Sequence, residues 1–246
     1  MTRPGSRAPL TTWTPPELAS SARRYQRALW RVVEAQHTAS TMRLADTLPE
    51  QALLEAILEA SKPPLPPGTG KLHYLLATPF RYRPRAGSRF RAPFEGGVWY
   101  GAEQLRTALA EKSYWRLRFL LDSPATPDLK PVPHTAFNVA VRGQAVDLTV
   151  LPLSKDRALW THRSDYGATQ ALATAARGAG LELIRYESVR DPGHAACVAA
   201  LVPAVFGRAK PKGLETWFVA ASRAQVRCVR GARGGQTWEF SAANLL

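Results

Sequence analysis

Five arginines, Arg81, Arg83, Arg85, Arg89 and Arg91, fall within residues 80–91; the aromatic pair Trp99-Tyr100 follows, and then a carboxylate, Glu111. Guanidinium groups are fixed forks of donors suited to phosphate oxygens, and aromatic faces can stack on a planar ring. A carboxylate beside them can stabilise positive charge or take a proton. The competing reading of the same residues is a basic surface loop followed by an ordinary amphipathic helix, and composition alone does not separate the two.

Several elements must place these groups. Residues 72–78 predict a strand running into Arg81-Tyr82, and residues 98–100 another short strand. Residues 102–119 predict a helix with Leu105, Ala108, Leu109 and Trp115 facing inward, so that Glu111 lies near the apolar stripe and is incompletely solvated. Proline-rich residues 122–133 read as a loop. Residues 135–141 and 144–150 alternate around Arg142-Gly143 and predict an antiparallel hairpin. Ser164 can cap a helix running to residue 177, ended by Gly178 and Gly180. Strands are expected at 181–188 and 197–202, and a closing meander at 216–221, 225–229 and 237–240. Strands with irregularly interspersed helices indicate an α+β fold.

Ahead of this part, residues 1–15 read as a poorly ordered tail. Residues 16–36 predict a helix from Leu18, Ala22, Tyr25, Leu29 and Val32/Val33 at helical spacing. A second helix starts at Thr47-Leu48-Pro49-Glu50, a capping box with proline in the first turn, and Leu53, Leu54, Ile57 and Leu58 give it a face to bury. This prefix is either a packing layer or a partner-docking surface. The prolines of residues 62–68 forbid helix and interior strand, so the chain is expected to divide into a helical prefix (1–61), a linker (62–70) and a core domain (71–246).

The formal charge is +14, and it is uneven: residues 1–60 hold seven Lys and Arg against six Asp and Glu, whereas residues 61–246 hold 26 against 13. Such a balance suits nucleic acid, an anionic small ligand or an acidic partner. No helix-turn-helix, RRM or OB signature is present, and neither a G-x-G-x-x-G nor a Walker sequence. Cys197 and Cys228 form no CxxC, and the five histidines show no metal-ligand spacing, so no metal is expected. Without a long apolar run or the apolar core of a secretory signal, the chain reads as cytoplasmic and without a membrane span.

Arg81-Tyr82, Gly87-Ser88-Arg89-Phe90, Val98-Trp99-Tyr100-Gly101 and Thr107-Ala108-Leu109-Ala110-Glu111, followed by Tyr186-Glu187-Ser188-Val189-Arg190-Asp191-Pro192-Gly193, resemble the RES domain of bacterial toxin–antitoxin pairs. The resemblance runs over residues 72–202. It implies an ADP-ribosyltransferase-like mixed β core and NAD as substrate, cleaved at the nicotinamide–ribose bond or used to transfer ADP-ribose. It implies Glu111, Arg81 and Ser188 as catalytic residues, with Arg81, Tyr82, Arg89 and Tyr100 holding the dinucleotide. It further implies an antitoxin partner of the Xre-like helix-turn-helix kind, contact with nucleic acid only through that antitoxin, and, for a transferase, a protein target. Two positions depart from the family pattern: Arg91 stands where many members carry Asn, and His194-Ala195-Ala196-Cys197 lacks the Asn common after the Ser segment. The alternative is a non-catalytic module, either a basic nucleic-acid binder, to which the charge points, or an interaction subunit with a degenerate RES fold, which these departures motivate.

Overall fold

The computed structural model describes residues 13–35, 45–231 and 235–246. The tail expected at 1–15 falls mostly outside them. The fold is α+β. Helix α1 (Pro15–Ser21) leads into strand β1 (Arg23–Glu34); α2 (Leu48–Ala60) and α3 (Tyr74–Arg81) precede β2 (Trp99–Ala102) and the long α4 (Leu105–Leu121). Then come β3 (Leu129–Asp147), α5 (Arg157–Trp160), α6 (Gly167–Gly178), β4 (Leu183–Glu187), β5 (Ala196–Ala200), β6 (Lys212–Ala221), β7 (Gln225–Arg230), β8 (Thr237–Ser241) and α7 (Ala242–Leu245). No helix among the described residues is long and apolar enough to cross a membrane.

The strands form one sheet in the order β1-β2-β5-β4-β3-β6-β7-β8, and β1 also pairs with β3. The pairings β1–β2, β2–β5, β5–β4, β4–β3 and β3–β1 therefore make a closed circuit, from which the meander β6–β7–β8 extends. Only the β3–β4 pair is parallel among them. Alternate residues of the circuit serve two cores. Leu29, Trp99, Phe137, Leu183 and Val198 pack with Leu75, Leu76 and Phe80 of α3. From the opposite faces, Val32, Ala102, Ile184 and Cys197 pack with Leu109 and Leu117 of α4 and Leu172 of α6.

The helix expected over residues 16–36 is corrected by this arrangement: α1 stops at Ser21, and β1 pairs with β3 from Arg23↔Ala145 to Glu34↔His134. Residue 36 lies outside the described residues. The spacing explains the misreading. Tyr25, Leu29 and Val33 recur every fourth residue, which is close to one helical turn and is also two strand repeats; in the structure all three pack on one face, with Trp30 and Val32 on the other.

The strand expected at 72–78 is instead α3, started by His73, whose Nδ1 accepts from the Leu75 N–H at 3.3 Å. Its short apolar run buries Leu75, Leu76, Ala77 and Phe80 along one helical side. The hairpin expected around Arg142-Gly143 is one continuous strand, β3. Gly143 serves close approach rather than a turn, because a Cβ there would lie 2.7 Å from Glu182 Oε2, which accepts from the Gln144 N–H at 2.8 Å. The loop expected at 122–133 ends early, since β3 begins at Leu129 with an irregular register against β6 that accommodates Pro131. Helix α2 carries the expected capping box, yet none of its residues is buried: Leu53, Ile57 and Leu58 remain exposed.

Candidate active site

A cleft of about 310 Å³ opens between β1 and α4, walled by Trp30–Glu34 on one side and by Ala108, Glu111, Lys112 and Trp115 on the other. Ser88, Arg89, Tyr100, Tyr166, Tyr186 and Arg190 also line it.

Glu111 is presented by α4 and met by the turn that follows β4. Ser188 Oγ donates to Glu111 Oε1 at 2.6 Å and itself accepts from the N–H groups of Arg190 (3.2 Å) and Asp191 (3.1 Å). Asp191 ties that turn back to the start of α4, accepting from Thr107 Oγ1 at 2.7 Å and pairing with Arg106. One helix therefore both carries the carboxylate and anchors the segment that bonds to it. Burial pushes the Glu111 carboxyl above the ordinary range; the Ser188 bond and the charges of Arg89 and Arg190 oppose that shift.

The arginine-rich loop is fastened from several sides. The Tyr100 hydroxyl accepts from the Phe90 N–H at 3.0 Å and shares a 2.8 Å hydrogen bond with Ser88. Arg91 donates to the carbonyls of Pro84 and Ala86, so this departure from the family pattern holds the loop closed on itself. Arg89 is nearly buried; its Nη1 donates to the carbonyls of Trp160 (2.9 Å) and His162 (3.0 Å), and its guanidinium lies 4.7 Å over the Tyr166 ring. Arg190 is clamped by the carbonyls of Leu245 and Arg163 and stacks 3.6 Å over Tyr114.

Of the residues picked from sequence, Arg89, Tyr100 and Glu111 line the cleft, and Ser188 lies fully buried against Glu111. Arg81 and Tyr82 do not join them. Arg81 sits at the end of α3, where it pairs with Glu59 of α2 at 2.7 Å and donates to the Pro63 carbonyl. Two further arginines line the cleft without having been picked from sequence, Arg190 and, from β1, Arg31. Arg31 Nη1 donates to the Tyr100 carbonyl at 2.8 Å, and its guanidinium lies 5.4 Å from the Trp99 ring. Burial lowers it to about 10, still charged at neutral pH, and its Nε is buried without a hydrogen-bond partner among the described residues. The available signal was a charge set among Leu29, Trp30, Val32 and Val33, a costly placement unless something answers it.

A family model described as the RES domain matches residues 66–221. The chain belongs to the RES family. Every residue from Ser88 to Arg190 named in the cleft lies inside that match, whereas β1, with Arg31, precedes it. No curated protein matches the chain in sequence. Among solved structures, one similar to this RES chain is the M. tuberculosis MbcT–MbcA toxin–antitoxin complex, at 13% identity and a TM-score of 0.46, covering 78% of this chain and 82% of that one. No group of three or more His, Cys, Asp or Glu able to hold a metal ion occurs among the described residues.

Proposed function

We propose that this chain consumes NAD by breaking the bond between nicotinamide and its ribose, and that it does so as the toxin of a pair whose other member is an antitoxin. The observation that carries the reading is the Ser188–Glu111 bond inside a cleft lined by arginines and tyrosines. As the C1′–N bond breaks, its electron pair goes to the nicotinamide nitrogen and neutralises the ring, while positive charge builds on the ribose. Glu111, ionised and held at Oε1 by Ser188, stabilises that charge or orients the attacking oxygen nucleophile. A donated hydroxyl bond favours the anionic carboxylate, against a burial that favours its neutral form.

The cationic lining suits the pyrophosphate. Arg31 is a half-buried cation whose Nε is buried and unanswered among the described residues, and Arg89 is fixed by two carbonyls so that it would meet an anion already oriented. Tyr186 is buried and Tyr100 half-buried, and burial raises both phenols, so they stay neutral hydroxyls rather than bases. Arg81, paired with Glu59, has no part in this reading. Family membership supports the toxin role and the antitoxin partner. An acceptor of water or phosphate makes the enzyme a glycohydrolase or phosphorylase; an acceptor on a protein makes it an ADP-ribosyltransferase. Incubating purified protein with NAD and following nicotinamide release, with and without phosphate and candidate acceptor proteins, tests the reading. Release is expected, and its absence in every condition argues for the non-catalytic interaction module.

A further inference from the structure

We propose that Trp115 is the platform on which the adenine base of NAD stacks at the rim of this cleft, an inference that rests on reading the cleft as the NAD site. Glu111, Lys112 and Trp115 line the cleft in succession along α4. At about 1.5 Å of rise per residue, Trp115 lies one helical turn, about 6 Å, beyond the carboxylate. The cleft volume of about 310 Å³ is at the lower end of the roughly 300–1,000 Å³ typical of sites for one small ligand. The enclosed part therefore suits the nicotinamide half of a dinucleotide, and the adenosine half must continue across the rim.

The rim on the α4 side is an indole. Trp115 is 54% exposed although Leu117 and Leu120 of the same helix are fully buried, so it is not there to fill the core. It is nevertheless braced: its ring meets Tyr114 at 5.2 Å with the planes at 71°, and Tyr114 is covered by the clamped guanidinium of Arg190. A large aromatic held in place yet open to solvent is what a stacking site needs, since little side-chain freedom remains to be lost on binding. Lys112, between Glu111 and Trp115 in sequence, also lines the cleft and adds positive charge to the α4 wall.

The test is steady-state nicotinamide release from NAD by wild type, Trp115→Ala and Trp115→Phe, with AMP and nicotinamide mononucleotide as competing ligands. Trp115→Ala is expected to raise KM for NAD about tenfold with kcat unchanged, the scale of one lost base–aromatic stack. It should weaken inhibition by AMP by a similar factor and leave inhibition by nicotinamide mononucleotide as in wild type, and Trp115→Phe should restore most of the loss. An active wild type whose KM and AMP inhibition are unmoved by Trp115→Ala overturns the platform and leaves the NAD reading standing, as does an equal loss toward both competitors. A wild type that releases no nicotinamide overturns both.

Discussion

Ser188 Oγ donates to Glu111 Oε1 at 2.6 Å, joining residues 77 apart in sequence. The bond acts against burial: burial raises the Glu111 carboxyl, and the donated hydrogen bond favours its ionised form. With Ser188→Ala that opposition goes and the carboxyl rises further, so the acid limb of the pH profile of nicotinamide release should move to higher pH. The variant also strips a partner from the N–H groups of Arg190 and Asp191, a destabilisation of about 1–3 kcal/mol per unsatisfied buried group. Rate against pH checks it; a uniform loss with an unmoved limb would make Ser188 structural only.

Arg31 and Arg81 make a contrasting pair. Arg31→Ala should weaken NAD binding roughly 10- to 100-fold, the scale of a lost hydrogen bond to a charged group. Arg81→Ala should leave NAD affinity unchanged, since it breaks a pair with a well-exposed Glu59, worth about 0–1 kcal/mol. Calorimetry of NAD with both variants decides between them, and a large loss for Arg81→Ala would restore it to the site.

What could be read from sequence was what is decided locally. The capping box at Thr47 and Glu50 is present as expected, because it is closed by neighbours in the chain. Helix α4 and the C-terminal meander were likewise anticipated from local patterns, and Arg89, Tyr100 and Glu111, picked out by the family resemblance, line the cleft. Most misread elements depend on distant partners, whereas α3 was misread although His73 caps it locally. Residues 25, 29 and 33 fit helix and strand alike, and pairing with β3 made the choice; Gly143 looked like a turn until Glu182 was brought against it. Arg81 and Arg31 both stand beside aromatic residues, and only the closing of β1 onto β2 and β3 puts Arg31 at the cleft.

A fragment beginning at Thr69 should fail to fold cooperatively. It lacks β1, and with it the paired edge of β3, the buried Leu29 and Val32, and the β1 wall of the cleft. Thermal melting of that fragment beside the full chain checks this. A cooperative melt with retained NAD turnover would show β1 to be dispensable.

Glu111 also sets a stability relationship. A carboxyl raised in the folded state contributes stability that is present below its unfolded value and is lost as pH rises through the folded value. Glu111→Gln cannot ionise, so its melting temperature should exceed that of wild type at neutral pH, and the gap should narrow on acidification. A variant less stable than wild type at neutral pH would mean that the ionised carboxylate is well solvated in the cleft.

The most direct measurement is single-turnover nicotinamide release by Glu111→Gln beside its NAD affinity. Removing a preorganised charge that acts mainly in the transition state should slow release roughly 100- to 1000-fold, with NAD binding changed far less. A folded Glu111→Gln protein that releases nicotinamide at the wild-type rate would contradict the assignment of Glu111 and, with it, the proposed chemistry.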